Sequence, residues 1–263
     1  MRKALILLLI LAIASAAYFS LKPKILKIEC IKNNEPVINE AFRLLRARKD
    51  KDALAILQDA LANEPDNLDA LWVKAEIGRR ARQYKQSESI LNSILTKNPK
   101  HIPSLISLAY IKDKQAKTDE ALQLISGVLK DECSTSENRA LAYMMIAVIN
   151  ARLSSRGGFF NKIKYGTQIK RFFLKAKELA PDLPEVRAGL GQFYLLAPVI
   201  AGGNLNKAIE ELKAAVKIAP DFATANARLA QCYKRKGIED KYKFYINRAK
   251  ELDPDNEVIK EIE

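Results

Sequence analysis

The chain has 263 residues, a net charge of +13, an apolar fraction of 48% and a charged fraction of 29%, which is the balance of a folded protein rather than a disordered one. Its three cysteines, Cys30, Cys133 and Cys232, lie far apart and form no paired motif, so neither a disulfide framework nor a zinc site can be read from them. Its single histidine, His101, leaves no basis for a Ser/His/Asp or Cys/His mechanism, and the basic residues alternate with acids without any nucleic-acid-binding signature, so an enzyme, a cofactor protein and a nucleic-acid binder are all poor expectations.

The chain opens on Met1, Arg2 and Lys3, followed by 18 residues, Ala4 to Leu21, that carry no charge. As a helix this run is about 27 Å long, just enough to cross the roughly 30 Å of a bilayer core. Ala14-Ser15-Ala16 also offers a small-x-small cleavage pattern, so residues 1–21 read as a membrane anchor or a signal segment. Tyr18-Phe19 and the following Lys22 and Lys24 favour retention. Positive charges flank both ends and leave the orientation open. Residues 22–33 form a basic linker, and residues 1–33 together hold a net +5.

From residue 34 onward one pattern recurs. In Asn206–Asp221 the residues Ala208, Leu212 and Ala215 form an apolar helical stripe closed by Pro220. The same offsets give Ala53, Leu57, Ala60 and Pro65; Ser87, Leu91, Ile94 and Pro99; Ile169, Phe173, Ala176 and Pro181; and Tyr242, Ile246, Ala249 and Pro254. Ala121, Ile125 and Val128 fit as well, with Cys133 in place of the proline. Pro65 to Pro99 and Pro220 to Pro254 are both 34 residues apart, and each such helix is preceded by another amphipathic segment, the last running from Ala223 to Lys236 with Gly237 at the turn. A 34-residue helix–turn–helix unit with a small residue in its second helix and a proline after it resembles the tetratricopeptide repeat (TPR). That resemblance implies an all-α fold, a right-handed TPR superhelix of about six helix–turn–helix repeats over residues 34–256 behind an N-terminal hydrophobic helix, with residues 257–263 as a charged capping helix.

The first three units keep strict register, and the third has a capping-like Thr118-Asp119-Glu120 before Ala121. Fourteen extra residues fall near 154–164 (SSRGGFFNKIK) and five near 198–203 (PVIAGG), both between the two helices of a unit, so they are expected as insertions projecting from one edge. Two arrangements are open for Phe159 and Phe160. Either they fold back over neighbouring helices, or with Arg152, Arg156, Lys162 and Lys164 they form a basic, aromatic contact loop. Gly202-Gly203 lacks the spacing of a phosphate-binding loop and reads as a turn. Pro198, Gly202-Gly203-Asn204 and Lys207-Ala208 are also similar to a stretch of bacterial TPR proteins that accompany TRAP-type solute transporters.

The resemblance implies a non-enzymatic scaffold that binds another protein, as a peptide or helix, in the groove lined by the first helices. The register assigns to that groove Ile38, Phe42, Trp72, Glu76, Ile106 and Tyr110 in the first three units. In the last three it assigns Ala140, Met144, Ala188, Gln192, Ala227 and Gln231. The Lys and Asn residues with which some TPR proteins clamp a chaperone's C-terminal carboxylate are missing from these places. The expectation is therefore a membrane-associated adaptor in the bacterial cell envelope, without metal or cofactor. The alternative is a transporter-accessory or small-ligand-binding protein, recognised by an enclosed apolar pocket between the two insertions.

Overall fold

The computed structural model describes residues 36–262; the apolar run 4–21, its anchor or signal assignment and the linker lie outside the described residues. Among the described residues the regular structure is helical. The first helices of the six units are α1 (Pro36–Arg46), α3 (Leu68–Arg80), α5 (Ile102–Lys114), α7 (Ser136–Arg156), α9 (Pro184–Leu196) and α11 (Ala223–Arg235). Their second helices are α2 (Asp50–Asn63), α4 (Tyr84–Lys97), α6 (Thr118–Lys130), α8 (Phe159–Leu179), α10 (Leu205–Ile218) and α12 (Glu239–Leu252), and α13 (Glu257–Ile262) ends the array. Each first helix packs on its own second helix, on the second helix before it and on the first helices of adjacent units, which is the contact pattern of a helical solenoid.

The stripe read from the sequence is the core. Ala53 and Leu57; Ser87, Leu91 and Ile94; Ala121, Ile125 and Val128; Ile169, Phe173 and Ala176; Ala208, Leu212 and Ala215; and Ile246 and Ala249 are all buried. Small residues set the helix separations. A Cβ on Gly191 would lie 2.7 Å from the Leu212 side chain and 3.2 Å from its backbone nitrogen, so α9 and α10 touch almost backbone to backbone. The proline after a second helix ends it sterically, and the first helices of the second and fourth units restart on a side-chain cap, whereas Leu183 and Phe222 supply none in the fifth and sixth: Asn67 Oδ1 accepts the Ala70 N–H at 3.1 Å, and Thr135 Oγ1 accepts that of Asn138 at 3.1 Å. His101 is spent the same way. Its Nδ1 accepts from the Ser104 N–H at 3.3 Å and its Nε2 lies 3.2 Å from Asp69 Oδ1. At α6 the expected cap does not form, because Lys117 occupies the cap position and the Thr118 hydroxyl accepts from Arg152 instead, at 2.9 Å.

The first insertion differs from the expected loop. Residues 154–164 are helical apart from the turn Gly157-Gly158, and the added residues lengthen α7 and α8 to 21 residues each. The eight residues by which each exceeds a 13-residue neighbour carry the hairpin about 12 Å beyond it. The physical reason is an unbroken run of helix-compatible residues on both sides of two glycines. A Cβ on Gly157 would lie 2.1 Å from the Asn161 side chain, so the reversal is too tight for a larger residue without rearrangement. The second insertion is a turn, with a 3₁₀ step at Val199–Ala201, Gly202 left-handed at φ 96°, and Asn204 capping α10 through the Lys207 N–H at 3.0 Å. The final helix closes the apolar end, as Val258, Ile259 and Ile262 are buried on Ala227, Ala230, Ile246 and Ala249.

Because Ala53, Ala121 and Ala208 have no exposed surface, replacing any one of them by Leu overpacks a helix crossing. The expected loss is about 1–3 kcal/mol, read as a lower Tm in thermal melts of the three variants.

Candidate partner-binding surface

Successive first helices bring one register position of each unit to a common face: Phe42, Glu76, Tyr110, Met144, Gln192 and Gln231, with Trp72 one turn before Glu76. Phe42, Trp72, Tyr110, Met144, Gln192 and Gln231 are half-buried and keep part of their surface accessible. Phe42 and Trp72 meet edge to face, with centroids 5.3 Å apart. The Arg79 guanidinium lies 4.1 Å above the Tyr110 ring, and Gln231 Oε1 accepts from Arg228 at 2.9 Å.

The other assignments from the register become interior positions. Ile38, Ala140 and Ala227 have no exposed surface, and Ile106 and Ala188 are buried as well, because in these units the position four before the common face tilts into the neighbouring helix. Glu76 is a different case, a buried carboxylate whose oxygens are fully taken by its own chain. It accepts from Arg79 Nε at 2.8 Å and from a second Arg79 nitrogen, from Arg80 Nε at 3.3 Å and from the Ser107 hydroxyl at 2.8 Å. Ser107 in turn accepts the Trp72 indole N–H at 3.0 Å.

From this node the charge network crosses the array. Arg80 donates to the Leu45 carbonyl at 2.8 Å and to Asp50 at 2.7 Å, and lies 3.5 Å from Glu185 at the start of α9. Arg48, in the α1–α2 turn, donates to Glu185 at 2.8 Å and stacks 3.9 Å over Phe222, at the start of α11. Arg46 pairs with Glu137 at 2.5 Å, and Arg82 with Asp253 at 3.2 Å. The turns of the first two units are therefore tied to the starts of the first helices of the last three and to the end of α12. Arg48 and Arg82 sit at left-handed positions, φ 65° and 63°, where the sixth unit has Gly237. The sequence reading missed these arginines and Glu185. The available signal was a large cation at a turn position that favours glycine.

Burial pushes the Arg48 guanidinium down to about 10, helped by repulsion from Arg80, while Glu185, Asp50 and Glu76 work against that shift. Burial alone would raise the Glu76 carboxyl, but the Arg79 charge and hydrogen bonds, Arg80 and the Ser107 hydroxyl together hold it down at about 2, against an ordinary 4.5. The Cys232 thiol is buried and pushed up to about 12, which keeps it an un-ionised packing residue. Among the described residues no group of three His, Cys, Asp or Glu side chains could hold a metal ion, and no helix is long and apolar enough to cross a membrane.

A carboxyl depressed on folding stabilises the protein above its unfolded value and loses that contribution as pH falls through the folded one. Glu76→Gln, which leaves Arg79 and Arg80 buried without their counter-charge, is expected to cost about 3 kcal/mol near neutral pH. The gap between variant and parent should close as pH falls from about 4.5 towards 2, followed by denaturant unfolding across that range.

Comparison with known proteins agrees with this geometry. The tetratricopeptide repeat family profile matches residues 44–103. The DnaJ homolog subfamily C member 7 homolog of Dictyostelium discoideum is 25% identical over 207 residues, covering 76% of this chain and 36% of that protein, so the chain spans about a third of the length of the curated relative it matches. Among solved structures, TTC0263, a thermophilic TPR protein of Thermus thermophilus, superposes with a TM-score of 0.58 at 18% identity over 73% of this chain and 95% of that one. Human IFIT1, solved as a dimer with PPP-AAAA, gives 0.58 at 17% identity over 86% of this chain and 51% of that one. With the 34-residue period, the buried stripe and the solenoid contacts in place, the chain has the fold of a tetratricopeptide repeat array, and residues 44–103 match that family's profile.

Proposed function

We propose that the protein is a non-enzymatic scaffold that holds a segment of another protein against the face carrying Phe42, Trp72, Tyr110, Met144, Gln192 and Gln231, and that residues 4–21 keep it at a membrane of a bacterial cell envelope. The observation that carries the protein-binding reading is the row itself. A stacked array presents half-exposed side chains in line along one face, aromatic in the first three units and flexible or polar in the last three, which suits an extended segment rather than a compact ligand. The membrane part rests on the length of the uncharged run Ala4 to Leu21.

A small-ligand or transporter-accessory role would need apolar walls around a pocket between the two insertions. Val199 and Ile200 are 86% and 98% exposed, so they stand in solvent and wall no such pocket. That observation favours the scaffold.

Photo-crosslinking residues placed at Gln192 and Gln231, compared with one at Lys243 on the exposed side of α12, test the assignment in intact membranes. The two inner positions should trap one common partner. Tyr110→Ala should lower that yield by the roughly tenfold or more expected of an interface hot spot while the protein stays folded by melt. A partner trapped equally at Lys243, or a yield indifferent to Tyr110→Ala, overturns the groove assignment.

A further inference from the structure

The hairpin α7–α8 ends in an unusual surface. Phe159 and Phe160 are 72% and 85% exposed, edge to face with centroids 6.1 Å apart, and Ile163 beside them is half exposed. Around this apolar tip stand Arg156, Lys162 and Lys164, none of which is ion-paired among the described residues. Between residues 138 and 177 the chain holds nine Lys or Arg and no Asp or Glu. Arg152, Lys175 and Lys177 of that stretch are paired with Asp113, Glu178 and Glu211, whereas at the tip no acid stands against Arg156, Lys162 and Lys164.

We propose that this tip docks on the surface of an anionic phospholipid bilayer, with Phe159, Phe160 and Ile163 entering the headgroup boundary and Arg156, Lys162 and Lys164 meeting the phosphates. The proposal rests on the membrane reading above and adds a second contact, far along the sequence from residues 4–21. Charge complementarity selects the occupant, since a tip that carries Arg156, Lys162 and Lys164 and no carboxylate from residue 154 to 164 suits a negatively charged surface. Shape selects it further. A protein interface commonly takes about 800 Å² of each partner, whereas the tip is a convex end with three apolar side chains, enough to wedge into a soft interface by about 5–10 Å. Single-stranded nucleic acid calls for a basic groove with exposed ring faces, and here the two rings pack on each other at the end of a projection.

The test uses the full-length chain with Phe160→Trp, a substitution at a side chain in solvent, reconstituted with vesicles of phosphatidylcholine alone or of equimolar phosphatidylcholine and phosphatidylglycerol. The Trp72 signal of the parent chain is subtracted. In the anionic vesicles the added indole emission should shift to the blue and be quenched by brominated acyl chains. In phosphatidylcholine alone it should stay as in buffer, and adding Lys162→Glu with Lys164→Glu should abolish the shift. A chain that floats with both vesicles while the indole stays in water overturns the tip contact and leaves the membrane anchor standing; a chain that floats with neither overturns both. A shift produced by single-stranded RNA or by an added protein, and not by anionic vesicles, overturns the proposal in favour of that partner.

Discussion

Close approach of helix backbones is the constraint on which this molecule depends. A first and a second helix can bury their apolar stripes only if something small stands at the crossing. Gly191 against Leu212 and Gly78 against the Ser87 hydroxyl are the clearest cases, each with room for no Cβ unless the neighbour shifts. Such contacts fix register as well as distance, because sliding one helix by a residue would bring a larger side chain into the crossing. The inward stripe, the line of side chains along the first helices and the level at which each turn emerges all follow from that fit.

On that frame the charges do something a repeat array does not require. Arg48, Arg80, Glu76 and Glu185 are mostly buried and link units distant in sequence. Removing charges from water is costly, and buried pairs seldom add much stability over apolar packing. Their value here lies in specificity, since they define one relative placement of the first two units and the last three. Part of the face that could receive a partner is thereby occupied by the chain itself, which leaves the half-exposed aromatic edges and the more polar second half as the accessible portion.

Much of the fold was legible in the sequence because the repeat is a local code. Each small residue, apolar stripe and proline acts within its own 34 residues, and the stripe that the offsets pick out is buried apart from Ala60 and Tyr242, which are half-buried. The hairpin was harder to read. Ser154–Lys164 contains Gly157-Gly158, which signals a break, yet the residues on each side continue their helices, so a two-residue reversal looked like a long loop. The groove was legible in register but not in accessibility. Glu76 occupies the same register position as Phe42 and Tyr110, but Arg79 and Arg80, three and four residues on along the same helix, consume it, a local i,i+3 and i,i+4 signal that the repeat register does not carry. Long-range pairs such as Arg48 with Glu185, separated by 137 residues, leave no periodic trace.

Arrays of this kind usually behave as one-dimensional chains, in which each unit feels only its neighbours and stability grows by equal increments. The ties from Arg48 to Glu185 and from Arg82 to Asp253 turn that line into a loop. Loss of the last unit then also releases a turn of the second, and fraying at one end loosens the other. A stepwise truncation series would depart from additivity, and melting would gain cooperativity that no single repeat interface supplies. The same tie makes the two strained arginine turns a coupling element, since relaxing the backbone there to glycine would ease the local geometry while unlatching the far end of the array.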